Sequence, residues 1–211
     1  MRTPGTTATL SDPLPKILKS IGVNKKEFDA CVSSGERAEL VGQSVDDGIQ
    51  AGVTGTPTTF VLRKQNGIFY TVANISGAQD KSLFEQAIEE ALKTNTPTTF
   101  PVFQGRPVDQ SDYEEVSTST NVYVVEYSDA ECPFCMRLHP NMKEIRTDYA
   151  GKISFVYRNF PLTAIHPHAE REAEMISCVA KLAPAKKYFE FIDAMFDWKI
   201  KNNVGYLPTE S

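Results

Sequence analysis

Two cysteines three positions apart, in the run Cys132-Pro133-Phe134-Cys135, carry the clearest chemical potential in this chain. They follow the apolar run Val122–Tyr127 and open a helical pattern that reaches about Tyr149. The first N–H groups of a helix are unpaired and its macrodipole is positive at that end, so a thiolate placed there is stabilised. The thiolate is the nucleophile in disulfide exchange, and a depressed pKa makes it reactive near neutral pH. One helical turn puts the second sulfur within reach of the first, where it can expel a mixed-disulfide partner or accept electrons itself. Pro133 is tolerated early in the helix because its missing N–H would have found no partner. Such a dithiol needs no cofactor, because its own disulfide is the oxidant. The same spacing is half of many zinc sites. Here no second pair exists, and although His139 could join the two sulfurs, no fourth ligand suggests itself by spacing. A metal or iron–sulfur carrier, with the pair shared across a dimer, is the competing reading. A peptide-binding module without turnover is a third.

The elements that must position the pair form a mixed α/β order. Pro13 to Val53 reads as helical. In it Asn24 and Glu27 resemble a capping box, Phe28, Cys31 and Val32 share a face, and Val41, Val45 and Ile49 repeat every four residues. A hairpin follows, with Thr58–Arg63 and Ile68–Val72 around the turn signal Asn66-Gly67. Gly77–Leu92 reads as a helix with Asp80 as its cap. The segment 94–101, Thr-Asn-Thr-Pro-Thr-Thr-Phe-Pro, interrupts all regular structure and reads as a linker. Beyond it come the Val122–Tyr127 strand, the cysteine helix, a strand at Ile153–Tyr157 and two helices near 166–183 and 186–200.

With these pieces in place, Glu126-Tyr127-Ser128-Asp129-Ala130-Glu131-Cys132-Pro133-Phe134-Cys135 and Leu138-His139-Pro140 resemble the active-site strand and helix of the DsbA-type disulfide oxidoreductases, which have the thioredoxin fold. Asn159-Phe160-Pro161-Leu162 and Lys187-Tyr188-Phe189-Glu190-Phe191 resemble that family's later segments. So do Phe28-Asp29-Ala30-Cys31, Gly52-Val53-Thr54-Gly55-Thr56-Pro57-Thr58-Thr59-Phe60 and Ile75-Ser76-Gly77-Ala78-Gln79 in the first half. The resemblance implies an α/β, thioredoxin-like fold with a helical insert. It also implies that the halves are in reversed, circularly permuted order. Residues 12–93 would be the family's C-terminal half, 94–101 the join of its old ends, and 102–206 its N-terminal half. Exposed loops and neighbouring termini make such an exchange physically reasonable. Pairing of the two halves between molecules, in a domain-swapped dimer, is equally compatible with the short linker.

The resemblance also assigns roles. Cys132 attacks or is attacked, and Cys135 resolves. Pro57 is a cis-proline facing the disulfide, leaving the backbone of Thr56 to pair with an extended substrate chain. Glu126 is a buried carboxyl with a raised pKa that relays a proton to or from Cys135. Pro133 and Phe134 tune the potential. Phe134 offers no donor to the thiolate, so Cys132 should be less acidic than the lowest values known for such motifs, about 3.5. His139 is expected to pack or meet solvent, and His166 and His168 to carry no chemistry. Cys31 and Cys178 are implied to form a structural disulfide within the helical insert. It would close a loop of about 148 residues worth up to about 5 kcal/mol; two buried thiols are the alternative.

Hydrophobic residues at 41% and charged residues at 23% describe an ordinary globular chain able to bury its own core. The net charge of −5 and the lack of a Lys/Arg cluster argue against nucleic-acid or anionic-membrane partners. No apolar run is long enough to span a bilayer, and the polar N-terminus carries no secretory core. The expected partners are protein or peptide thiols and disulfides, plus a redox protein that recycles the dithiol. The expected location is a bacterial periplasm or another extracytoplasmic space, as a structural disulfide would require.

Overall fold

A computed structural model of the chain describes residues 11–95, 97–115 and 120–208. The polar N-terminal residues 1–10 and Thr96 of the linker lie outside the described residues. The first half builds α1 (Leu14–Ile21), α2 (Lys25–Ser34), α3 (Ala38–Gln50), β1 (Thr58–Gln65), β2 (Ile68–Ser76) and α4 (Lys81–Lys93). The second builds β3 (Glu114–Glu115), β4 (Val122–Ser128), α5 (Pro133–Asp148), β5 (Ser154–Asn159), α6 (Ala169–Leu182) and α7 (Ala185–Asn202).

Local sequence explains most of these limits. Leu14, Ile17, Leu18 and Ile21 bury one stripe of α1, and Gly22 stops it with a positive φ of 78°. Asn24 caps α2 by accepting from the backbone N–H groups of Lys26 and Glu27. Asn66 and Gly67, both at positive φ, close the β1–β2 hairpin. One expectation about α3 fails. Val41 is buried, but Ile49 is 61% exposed. A four-residue repeat drifts about 40° per step around an α-helix, so by its third member the stripe has turned away from the core.

The strands form one sheet in the order β2-β1-β4-β5-β3, so both halves of the chain contribute to it. β4 lies at the centre, antiparallel to β1 and parallel to β5, with α5 as the crossover. Alternation along β4 sends Val122 and Val124 into the larger core with α1, α2, α4, α5, α6 and α7. Tyr123, Val125 and Tyr127 go to the opposite core, which α3 closes with Phe60, Leu62, Phe69, Phe103 and Phe160. Gly48 permits that closure: a Cβ there would sit 2.5 Å from the Phe160 ring.

The connection between the halves is more ordered than its composition suggests. Pro97–Thr99 form a 3-10 turn. The Thr71 N–H then donates to the Pro101 carbonyl and the Phe103 N–H to that of Phe69, both at 2.8 Å. An open sheet edge offers unpaired backbone groups, and this segment uses those of β2. Farther on, Asp112 takes both forks of the buried Arg158 at 3.0 and 2.9 Å and one fork of Arg106 at 2.7 Å. Arg106 reaches Asp47 of α3 at 2.7 Å, and Arg158 donates to the Tyr127 hydroxyl at 2.8 Å. Among the described residues no helix is long and apolar enough to cross a membrane.

Candidate active site

β4 ends at Ser128, the chain turns through Asp129–Glu131, and Cys132 becomes the N-cap of α5 in extended conformation with Pro133 next. Asp129 holds that turn. Its carboxylate accepts from the Glu131 N–H and the Leu162 N–H, each at 2.8 Å, and lies 2.7 Å from His166 Nδ1. Lys199 Nζ, fully buried on α7, donates to the Ala130 carbonyl at 2.8 Å and pairs with Glu172 of α6. Glu172 in turn accepts from the Leu207 N–H. The turn before the cysteines is thereby fixed from the β5–α6 segment, α6 and α7 together.

Cys132 and Cys135 are free thiols, both buried. Cys132 Sγ donates to the Thr56 carbonyl at 3.5 Å, and the Asp129 N–H points at Cys135 Sγ at 3.4 Å. The Thr56–Pro57 peptide bond is cis. Thus Thr56 and Pro57, seventy-odd residues away in sequence, sit against the dithiol because β1 pairs with β4 and Thr58 lies opposite Tyr127. Glu126 lies on the same face of β4 as Val122 and Val124, buried beneath α5. Cys31 and Cys178 are bonded to each other, joining α2 to α6.

The electrostatics separate the two thiols. A hydrogen bond from Cys135, assisted by Thr56 and the N–H groups of Phe134 and Cys135, outweighs burial and pulls Cys132 down to about 5. Burial and the neighbouring Cys132 push Cys135 well above the ordinary thiol range. The surroundings therefore favour ionisation of Cys132 and the protonated thiol at Cys135. Burial raises Glu126 to about 7, with a hydrogen bond from Ser128 and the charge of Arg146 opposing only in part. The Phe134 ring is half exposed, with the Arg137 guanidinium 4.9 Å over it, and offers no donor; the stabilisation of Cys132 comes from Cys135, Thr56 and backbone N–H groups.

Three contributors were not visible in the residue pattern. Asp129 could have been suspected, since an Asp between a strand and a helix start commonly accepts backbone N–H groups. His166, assigned no chemistry above, is half of the Asp129 contact. The Lys199–Glu172 pair had no sequence signal, because nothing local marks a lysine on an aromatic helix as buried. His139 packs, stacked on Phe196 at 4.5 Å with Asp193 3.1 Å from its Nε2, and burial lowers its pKa. Among the described residues no group of three or more His, Cys, Asp or Glu side chains stands together as a metal set.

Comparisons with known proteins divide the chain where the linker does. The model of the DSBA-like thioredoxin domain matches residues 3–89, and a thioredoxin model matches 117–205. The Na(+)/H(+) antiporter NhaA 3 of Salinispora tropica is 38% identical over 76 residues, 36% of this chain and 12% of that protein. NhaA 1 of Salinispora arenicola is 42% identical over 69 residues, covering 32% and 10%. NhaA 1 of Mycobacterium sp. strain KMS is 34% identical over 92 residues, covering 43% and 14%. The chain thus corresponds to a small fraction of these relatives' length, and the antiporter names describe them. A DSBA-like match in one half, a thioredoxin match in the other and one α/β sheet built from both give the chain a thioredoxin-like fold and support a DsbA-type protein of the thioredoxin superfamily.

Proposed function

We propose that the protein is a dithiol oxidase that passes its Cys132–Cys135 disulfide to protein or peptide thiols. The observation that carries this reading is the position of Cys132 at the start of α5, where Cys135 donates to its sulfur and depresses its pKa. Stabilising the thiolate stabilises the reduced form, and a stable reduced form makes its disulfide a stronger oxidant. A substrate thiolate attacks Cys132 Sγ. The Cys132–Cys135 bond breaks, and Cys135 leaves with the electron pair and takes a proton. A second substrate thiolate then attacks the mixed disulfide, and Cys132 departs as the thiolate its surroundings favour. The substrate has lost two electrons and the protein holds them as a dithiol, which a partner oxidant must reclaim.

The backbone of Thr56, beside the cis-proline, is the proposed seat for the extended substrate chain. Glu126 is the proposed proton donor and acceptor for Cys135. The disulfide between Cys31 and Cys178 favours an extracytoplasmic workplace. We also propose that the chain is a circular permutant, with residues 12–93 and 102–206 as exchanged halves of one domain. The support is the order in which the two family matches occur and the docked connection between them.

Trapping tests the reading. Cys135→Ala protein, oxidised with a small disulfide and mixed with a reduced unfolded substrate, should accumulate a mixed disulfide through Cys132. None forming with any reducible substrate overturns the proposal, and stoichiometric bound metal in the wild type would favour the carrier reading instead.

A further inference from the structure

One residue of the β4–α5 turn serves both cysteines through its backbone. The Asp129 carbonyl accepts from the Cys132 N–H at 3.1 Å, and the Asp129 N–H points at Cys135 Sγ at 3.4 Å. Where that N–H aims depends on how the Asp129 side chain is held, because both belong to one short turn. The side chain has no exposure to solvent. A buried carboxylate is tolerated only when its lone pairs are met. Two of its donors are backbone groups: the Glu131 N–H at Oδ1 and the Leu162 N–H at Oδ2, each at 2.8 Å. The third is a side chain, His166, whose Nδ1 lies 2.7 Å from Oδ2. A carboxylate only accepts, so Nδ1 is the donor. Leu162 and His166 both follow β5, so the carboxylate is anchored from outside its own turn.

We propose that the Asp129 N–H is a hydrogen-bond donor to the Cys135 sulfur as it departs, and that His166 is the positioning residue that keeps it aimed. The inference rests on the reading of the chain as a dithiol oxidase and adds two groups to that reaction. A substrate thiolate bonds to Cys132 Sγ, the Cys132–Cys135 bond breaks, and its electron pair stays on Cys135. His166 exchanges no proton in this step. In the disulfide the Cys135 sulfur is neutral, and an N–H meets it only weakly. When the electron pair arrives the same N–H faces an anion, and charge-assisted hydrogen bonds are roughly twice as strong as neutral ones. A fixed donor whose bond strengthens as charge develops lowers the barrier of that step rather than only stabilising the resting protein. The Ser128 hydroxyl also favours a charged Cys135, so the N–H shares the task. Cys132 draws its stabilisation from Cys135, Thr56 and the N–H groups of Phe134 and Cys135. None of these is Asp129 or His166, so the two sulfurs should respond differently to loss of the histidine.

His166→Ala removes the side-chain donor, and His166→Asn supplies another in place of the imidazole Nδ1. The turn keeps its remaining ties in both: Lys199 on the Ala130 carbonyl and the two N–H groups on Asp129. Two rates are measured on each protein at one pH. The first is reduction of the Cys132–Cys135 disulfide by excess glutathione, in which Cys135 departs. The second is alkylation of Cys132 by iodoacetamide in the reduced protein, in which it does not. In His166→Ala the first rate should fall about tenfold, less than the roughly 10²–10³ that outright deletion of such a donor costs. Alkylation should match wild type, and His166→Asn should recover most of the lost reduction rate. An unchanged reduction rate in His166→Ala overturns the inference. So does an equal slowing of both reactions, which is what a generally loosened turn would give. Should His166→Ala not fold, His166→Phe keeps a ring in place without the donor and is read in the same way. If oxidised wild-type protein is not reduced by glutathione at all, the oxidase reading has failed, and this inference with it.

Discussion

At the scale of the residue, the two cysteines differ by environment rather than by type. Titration of reduced protein by thiolate absorbance should give a midpoint near 5 for Cys132. Because the hydrogen bond from Cys135 is the largest cause, Cys135→Ala should move that midpoint upward, while Cys135→Ser should largely preserve it. A midpoint unmoved by Cys135→Ala would assign the stabilisation to the helix terminus instead. A depressed thiol pKa contributes stability to the reduced fold at high pH and loses it as pH falls through about 5. Glu126 has the opposite sign. Its folded pKa of about 7 lies above the ordinary 4.5, so the folded state binds the proton more tightly and stability falls as pH rises between those values. The loss approaches about 3 kcal/mol above pH 7. Denaturant unfolding of Glu126→Gln should therefore show a variant more stable than wild type at pH 8, with the advantage absent at pH 4. An equal difference at both pH values would refute this.

At the scale of the element, the turn between β4 and α5 depends on helices remote in sequence. Lys199→Met leaves Glu172 buried without its cation and the Ala130 carbonyl without its donor. Breaking a buried pair in this way costs about 3–5 kcal/mol, so the urea midpoint should fall accordingly. Adding Glu172→Gln should recover part of it. Much of the element pattern was legible in the sequence: the Asn24 cap, the Asn66-Gly67 turn and the strand–Cys-Pro-Phe-Cys–helix unit each carry their own local chemistry. What could not be read lies in contacts without a local signature. Lys199 looks like a solvent-facing lysine until α6 supplies Glu172. Arg106, Asp112 and Arg158 look like ordinary surface charges until three segments converge on them. The four-residue stripe ending at Ile49 does not mark a buried face because helical drift carries its third member out of the core, and the linker is ordered by an available sheet edge that its composition does not show.

At the scale of the whole molecule, the convergence of Glu126, Cys132 and Thr56-Pro57 requires both halves to share one sheet, and residues far apart in sequence met there as the family resemblance implied. The bond between Cys31 and Cys178 links those halves a second time. Replacing both cysteines by alanine should lower stability by up to about 5 kcal/mol, the loop-entropy limit for so long a loop. The thiolate midpoint of Cys132 should be unaffected, since its shift comes from Cys135, Thr56 and backbone N–H groups and not from the bridge. A shifted midpoint would couple the bridge to the dithiol.

That bridge also changes what the covalent object is. Backbone from 31 to 178 and one sulfur–sulfur bond form a closed ring, and both the dithiol and the segment joining the halves lie within it. A protease that cuts the ring once, anywhere between its two anchors, leaves a single molecule of unchanged connected mass. Only subsequent reduction releases two pieces. The protein is thereby protected against nicking by the same kind of bond that it is proposed to hand to others.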